Sequence, residues 1–164
     1  MGGNNRHISS NGLGHNQLCG MRSITLIVIH CSAVRPYQRS SADDIDKWHK
    51  ERVTHGIHWK GIGYHYVVRR DGSIEKGRPL WEPGAHCVGH NKYSIGICYE
   101  GGLDNEGDYA DTRTPEQKQA LRQLLEELHD KFPKALIVGH HDLNHAKPCP
   151  VYDVVTEYWD LQPQ

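Results

Sequence analysis

The sequence predicts a single α/β domain: a central mixed sheet of about five strands flanked by helices. Three observations carry this. A nearly continuous apolar run stands at 24–30, as expected of a strand buried on both faces, with further strand segments at 94–99 and 135–138. A capped, amphipathic stretch begins at Thr114-Pro115. Asp71-Gly72 sits between two strand-like segments, the signature of a hairpin turn.

Taken in order, residues 1–22 are rich in Gly, Asn and Ser. They read as a flexible leader before a domain spanning 23–162. The first strand, over 24–30, ends at His30. Ser41-Ala-Asp-Asp44 opens a helix expected to run to about Val53, with a capping-box start. Residues 56–63, with Gly at 56, 61 and 63, read as a loop. Residues 64–69 and 73–77 form the hairpin strands, and 94–99 a further strand closed by Gly101-Gly102. Thr114-Pro115-Glu116-Gln117 supplies an N-cap, a proline in the first turn and a glutamine at the third helical position. Leu121, Leu124, Leu125 and Leu128 then fall on one face, and the helix ends before Pro133. A short strand at 135–138 runs into Gly139-His140-His141-Asp142. Residues 151–160 allow a last short helix.

Composition narrows the function. With 19 Lys+Arg against 20 Asp+Glu, the near-neutral chain disfavours nucleic acid as main partner. No apolar run reaches the roughly 18 residues of a membrane span. The first 22 residues hold no apolar core of a secretion signal, so retention in the cytoplasm after synthesis is expected. Five cysteines are an odd set for a disulfide framework and read as thiols, one of them available to a metal. Thirteen histidines among 164 residues prompt a search for a metal or acid–base site.

Three candidate ligands stand at strand-end loops: His30, His140 and Cys149, the last within Lys147-Pro-Cys-Pro150. Two imidazoles and a thiolate leave a fourth position for water, the layout of a catalytic zinc site. The residues alone equally allow His30 to cap a strand, His140 and His141 to bond surface loops, and Cys149 to be buried. Lys147 and Cys149, two apart in a proline-flanked segment, should face one side. Tyr64 and His65 should face opposite sides of their strand, as should His140 and His141. His49, His55, His58 and His129 are expected on helix or loop surfaces. Cys31 should turn into the core, with Cys87 and Cys98 small buried residues.

Five ordered blocks resemble the type 2 zinc-dependent N-acetylmuramoyl-L-alanine amidases, the family of T7-type phage lysozymes and peptidoglycan recognition proteins. They are Ile27-Val-Ile-His-Cys-Ser-Ala33, Gly63-Tyr-His-Tyr-Val-Val-Arg-Arg-Asp-Gly72, Gly84-Ala-His-Cys-Val-Gly-His-Asn91, Ser94-Ile-Gly-Ile97, and Gly139-His-His-Asp-Leu143 with Lys147-Pro-Cys-Pro150. Trp48-His49-Lys50 also fits the T7-type branch. The resemblance implies the recognition-protein fold, Zn2+ on His30, His140 and Cys149, and catalytic roles for Tyr64 and Lys147. It implies that His86 and Asn91 line the substrate groove. The implied reaction is hydrolysis of the amide between N-acetylmuramic acid and L-alanine in peptidoglycan, by a monomer. It also brings two other readings: a non-catalytic peptidoglycan-binding module, and an added role as an inhibitor of phage RNA polymerase. A cysteine hydrolase built on Cys31 or Cys87 is a further alternative.

Overall fold

The computed structural model describes residues 22–164. The first expected strand is β1 (Leu26–Cys31), and it lies at the heart of the molecule. The helix α1 (Ala42–Lys50) follows, opened by a capping box in which Ser41 and Asp44 satisfy each other's backbone N–H groups. It stops three residues earlier than its sequence suggests. Residues 53–58, read as helix end and loop, instead form a small hairpin, β2 (Val53–Thr54) and β3 (Ile57–His58). His55 and Gly56, both at positive φ, make its turn; an asparagine-free His-Gly turn carries little sequence signal.

The strands β4 (Tyr66–Val68), β5 (Ile74–Lys76) and β6 (Ser94–Tyr99) come next. The long helix α2 (Pro115–Lys131) starts on the Thr114/Gln117 capping box expected of it. The last strand, β7 (Leu136–Gly139), runs directly into a one-turn helix, α3 (His140–Leu143). The extended geometry expected for His140 and His141 is therefore replaced by a helical turn, set up as the Asp142 carboxylate accepts the Gly139 N–H at 2.8 Å. A short helix α4 (Val154–Glu157) lies near the C-terminus.

The five-stranded sheet has the order β5-β4-β6-β1-β7, with β5 antiparallel to β4 and every other pairing parallel. Its two faces differ. Ile27 and Ile29 of β1, Ile95, Ile97 and Tyr99 of β6, and Tyr66 and Val68 of β4 pack against Leu121, Leu124, Leu125 and Leu128 of α2. Each such leucine contributes about 1.5–3 kcal/mol by leaving water. The opposite face carries Cys98 and Val67, covered by Ala42 and Ile45 of α1 together with Ile62. No helix among the described residues is long and apolar enough to cross a membrane.

Arg22 fastens the first described residue to the body of the fold. Its guanidinium donates to the carbonyls of Leu80 (3.1 Å), Asn91 (3.0 Å), Lys92 (3.1 Å) and Ser94 (2.9 Å), and meets His65 Nε2 at 3.2 Å. The remainder of the expected leader, 1–21, lies outside the described residues. We expect a chain begun at Met21 to keep its melting temperature, whereas Arg22→Ala should lower stability by about 1–3 kcal/mol because four carbonyls, three of them partly buried, lose a charged donor. Urea denaturation of both variants checks this; a large fall on truncation at Met21 would show that the leader packs on the domain.

Candidate metal and active site

The register of β1 against β7 builds the site. Ile29 lies opposite Gly139, so His30 and His140 leave adjacent parallel strands side by side, their ring centroids 4.6 Å apart. Cys149 is brought in from below: its carbonyl accepts the His141 N–H at 2.9 Å, and its sulfur accepts the Cys31 N–H at 3.1 Å. One donor atom each from His30, His140 and Cys149 lies within 4.8 Å of the others. Ligand separations around a tetrahedral zinc with N and S donors are roughly 3.3–3.8 Å, so small side-chain adjustments close the set.

The protonation of the trio suits a soft-to-borderline cation. Burial, then the neighbouring His86, His140 and His49, draws His30 well below the ordinary histidine range. Burial first, then the Lys147 ammonium, lowers His140. Both rings thus offer lone pairs at neutral pH. The hydrogen bond shared with Cys31, followed by burial, pushes the Cys149 thiol up; a cation is what would hold it as thiolate.

Tyr64 stands beside the trio, its ring 5.0 Å from that of His30. It packs on the Ala42, Ile45, Ile62, Val67 and Cys98 cluster. Burial, and then the thiols of Cys98, Cys149 and Cys31, raises its phenol well above the usual value, so the hydroxyl keeps its proton. The rings of Tyr64 and His65 both lie near His86, at centroid distances of 6.4 and 6.0 Å. His65 is held away from His30: its Nδ1 accepts the Gly96 N–H at 3.0 Å and its Nε2 meets the Glu82 carbonyl at 2.9 Å. Lys147 is exposed, close enough to His140 to depress its protonation.

His86 and Asn91 lie on the loop after Gly84. His86 Nδ1 is 2.9 Å from His30 Nε2, and its Nε2 is 3.1 Å from Ser94 Oγ. The Asn91 carboxamide oxygen accepts the N–H groups of His86 (2.9 Å) and Cys87 (3.0 Å).

One residue expected at the surface belongs to the site. His49 is buried, edge-on to Trp59 at 5.2 Å and 5.5 Å from Tyr64, with Nδ1 accepting the Gly63 N–H at 2.9 Å. The spacing of Ala42, Ile45 and His49 on α1 is the signal that could have found it, since these three form its buried face. Cys31, Cys87 and Cys98 are buried as expected, and no disulfide joins the cysteines among the described residues.

Residues 20–152 match the family model described as N-acetylmuramoyl-L-alanine amidase. The chain is 38% identical over 138 residues to the endolysin of Escherichia phage T7, covering 84% of this chain and 87% of that protein. It is 39% identical over 134 residues to the endolysin of Enterobacteria phage T3, covering 82% and 84%. Among solved structures it is similar to the N-acetylmuramoyl-L-alanine amidase LysC of Clostridium intestinale, with a TM-score of 0.68, 31% identity, and coverage of 84% of this chain and 83% of that one. The peptidoglycan recognition protein PGRP-LB of Drosophila shares the fold, with a TM-score of 0.66 at 23% identity, over 84% of this chain and 80% of that one.

The buried imidazoles make stability depend on pH. Burial draws both His49 and His65 down to about 4, while in the unfolded chain each takes its proton near 6.5. Between those values the unfolded state holds more protons, so stability is complete above about pH 6.5 and falls as pH drops toward 4, by up to about 1.4 kcal/mol per pH unit for each group. Urea midpoints should therefore fall between pH 7 and pH 5. Equal midpoints would show that these rings are protonated in the native state.

Proposed function

The chain belongs to the N-acetylmuramoyl-L-alanine amidase family, and from that premise we propose that one Zn2+ held by His30, His140 and Cys149 works with Tyr64 and Lys147 in its reaction. The protein is a peptidoglycan amidase, a cell-wall-lysing hydrolase. The observation that carries the metal reading is the convergence of two neutral imidazoles and a thiol beside a protonated phenol.

The scissile amide has a poor electrophile and a poor leaving group. Zinc at this site would supply Lewis acidity, making water more acidic and the carbonyl more electrophilic. The chain's own groups do the rest. Tyr64 cannot act as a base while its proton is held so firmly; its O–H donates to the oxygen on which negative charge develops. The Lys147 ammonium adds positive charge at the same place and gives the departing amine its proton. The loop bearing His86 and Asn91 flanks Tyr64, and Asn91 lines the groove in which the stem peptide lies.

Several neighbouring readings separate here. The cysteine ligand is present, which favours an enzyme over a binding module. Cys31 and Cys87 are 5% and 4% exposed, so neither offers a nucleophile to a bulky substrate. We further propose a monomer, made in the cytoplasm and acting on the wall after release or delivery. Inhibition of phage RNA polymerase is a separate proposal, read by whether the pure protein slows transcription.

The purified protein should contain one zinc per chain, and a chelator should abolish hydrolysis until zinc is returned; full activity in a metal-free sample would overturn the metal reading. Tyr64→Phe and Lys147→Ala should each bind zinc and stay folded, yet lose at least about two orders of magnitude in rate. Cys149→Ser should instead weaken zinc binding itself. Mass spectrometry of digested peptidoglycan identifies the bond cut by its new termini. Wild-type turnover by both Tyr64→Phe and Lys147→Ala would remove those residues from the chemistry.

A further inference from the structure

We propose that His86 is a positioning residue for His30, the inner end of a Ser94–His86–His30 relay that fixes both the orientation and the proton of a metal ligand. The inference rests on the reading of His30 as a ligand, and it assigns His86 a task other than contact with substrate.

The geometry leaves His86 little freedom. Its two ring nitrogens meet His30 Nε2 at 2.9 Å and Ser94 Oγ at 3.1 Å. Its backbone is clamped by the Asn91 carboxamide oxygen, which takes the N–H groups of residues 86 and 87. The ring itself lies in a slot between two glycines: a Cβ on Gly84 or on Gly96 would come within 2.6 Å of the ring carbon Cδ2. Ser94, at the far end, is fully buried at the start of β6. With both nitrogens engaged inside the protein, the ring has no polar atom left for a substrate.

The proton positions follow from the donor and acceptor inventory. A ring nitrogen cannot present one lone pair to a metal and also share a hydrogen bond with His86. His30 Nε2 is the atom facing His86, so Nδ1 is the atom left for the metal. A neutral His30 with a bare Nδ1 carries its proton on Nε2, which can only donate. His86 Nδ1 must then accept, so the His86 proton sits on Nε2 and is donated to Ser94 Oγ. One arrangement satisfies every atom. The other arrangement, with the His86 proton on Nδ1, forces a proton onto His30 Nδ1 and blocks ligation. The ring partner of a metal-bound histidine commonly sets its tautomer, and loss of such a partner costs about 10–100-fold in metal affinity or activity.

The test measures zinc affinity, by competition with a chromophoric chelator, for the full chain and for His86→Ala, His86→Asn and His140→Ala. His86→Ala should bind zinc about 10–100-fold more weakly. His86→Asn should recover most of that loss, because the asparagine oxygen can occupy the place of Nδ1 and accept from His30. His140→Ala should lose binding more severely. If His86→Ala binds as the wild type does while His140→Ala does not, the positioning role falls and the metal site stands. If neither substitution weakens binding, the metal reading itself falls. Should His86→Ala fail to fold, nitrogen-15 NMR of the wild-type zinc protein still decides: a proton on His30 Nε2 and on His86 Nε2 is expected, and a proton on His86 Nδ1 would overturn the proposal.

Discussion

The site depends on one alignment, that of β1 with β7. Two parallel strands of independent sequence, separated by more than a hundred residues, are paired so that Ile29 lies opposite Gly139. A strand slipped by one position would turn its whole apolar set to the wrong face. Here Ile27 and Ile29 must face α2, so Val28 and His30 must face the other way. The hydrophobic demand of the α2 face thus orients a histidine on the far side of the sheet. The pairing with β6 does the same from the other flank, setting His30 beside Cys98 and Val28 beside Gly96. The core thereby orients the site from the far side of the sheet, and Cys149 packs against it directly.

The far face is electrostatically unusual. His30, His49, His65, His86 and Tyr64 crowd into a small volume, and burial holds every one of them neutral. Each of the four imidazoles has at least one ring nitrogen within hydrogen-bond distance of a neighbour. That pairing removes most of the penalty for burying polar groups. The neighbouring guanidiniums of Arg22, Arg52 and Arg78 add to the effect of burial, lowering His49, His65 and His86 further, so these rings carry no protons that would compete with a cation at neutral pH. Lys147 stands on the exposed rim, beside His140.

The fold was largely legible because its elements are locally encoded. The apolar runs of β1 and β6, the leucine face of α2 and the Thr114/Gln117 cap each sit within one short segment. The β2–β3 hairpin was not legible, since two exposed two-residue strands carry almost no periodicity. The site divides along the same line. His30, His140 and Cys149 are far apart in sequence with no fixed spacing, so the residues alone left them ambiguous, and ordered similarity to a family was needed to select them. The helical turn at His140 rests on the local Asp142 cap, whereas the burial of His49 and the bond from His30 to His86 arise from contacts between separate segments.

Gly84 and Gly96 bring no reactive group to this protein, and what they contribute is empty space for an imidazole ring. A saturation-mutagenesis map of lytic function would nonetheless score these two positions alongside the ligands. Read as a chemical map, such scores would enlarge the active site by residues that never meet a reacting atom. Read as a map of volume, they would trace the mould into which the outer histidine is cast. Tolerance to substitution here reports how tightly a supporting ring is held as much as which residues react.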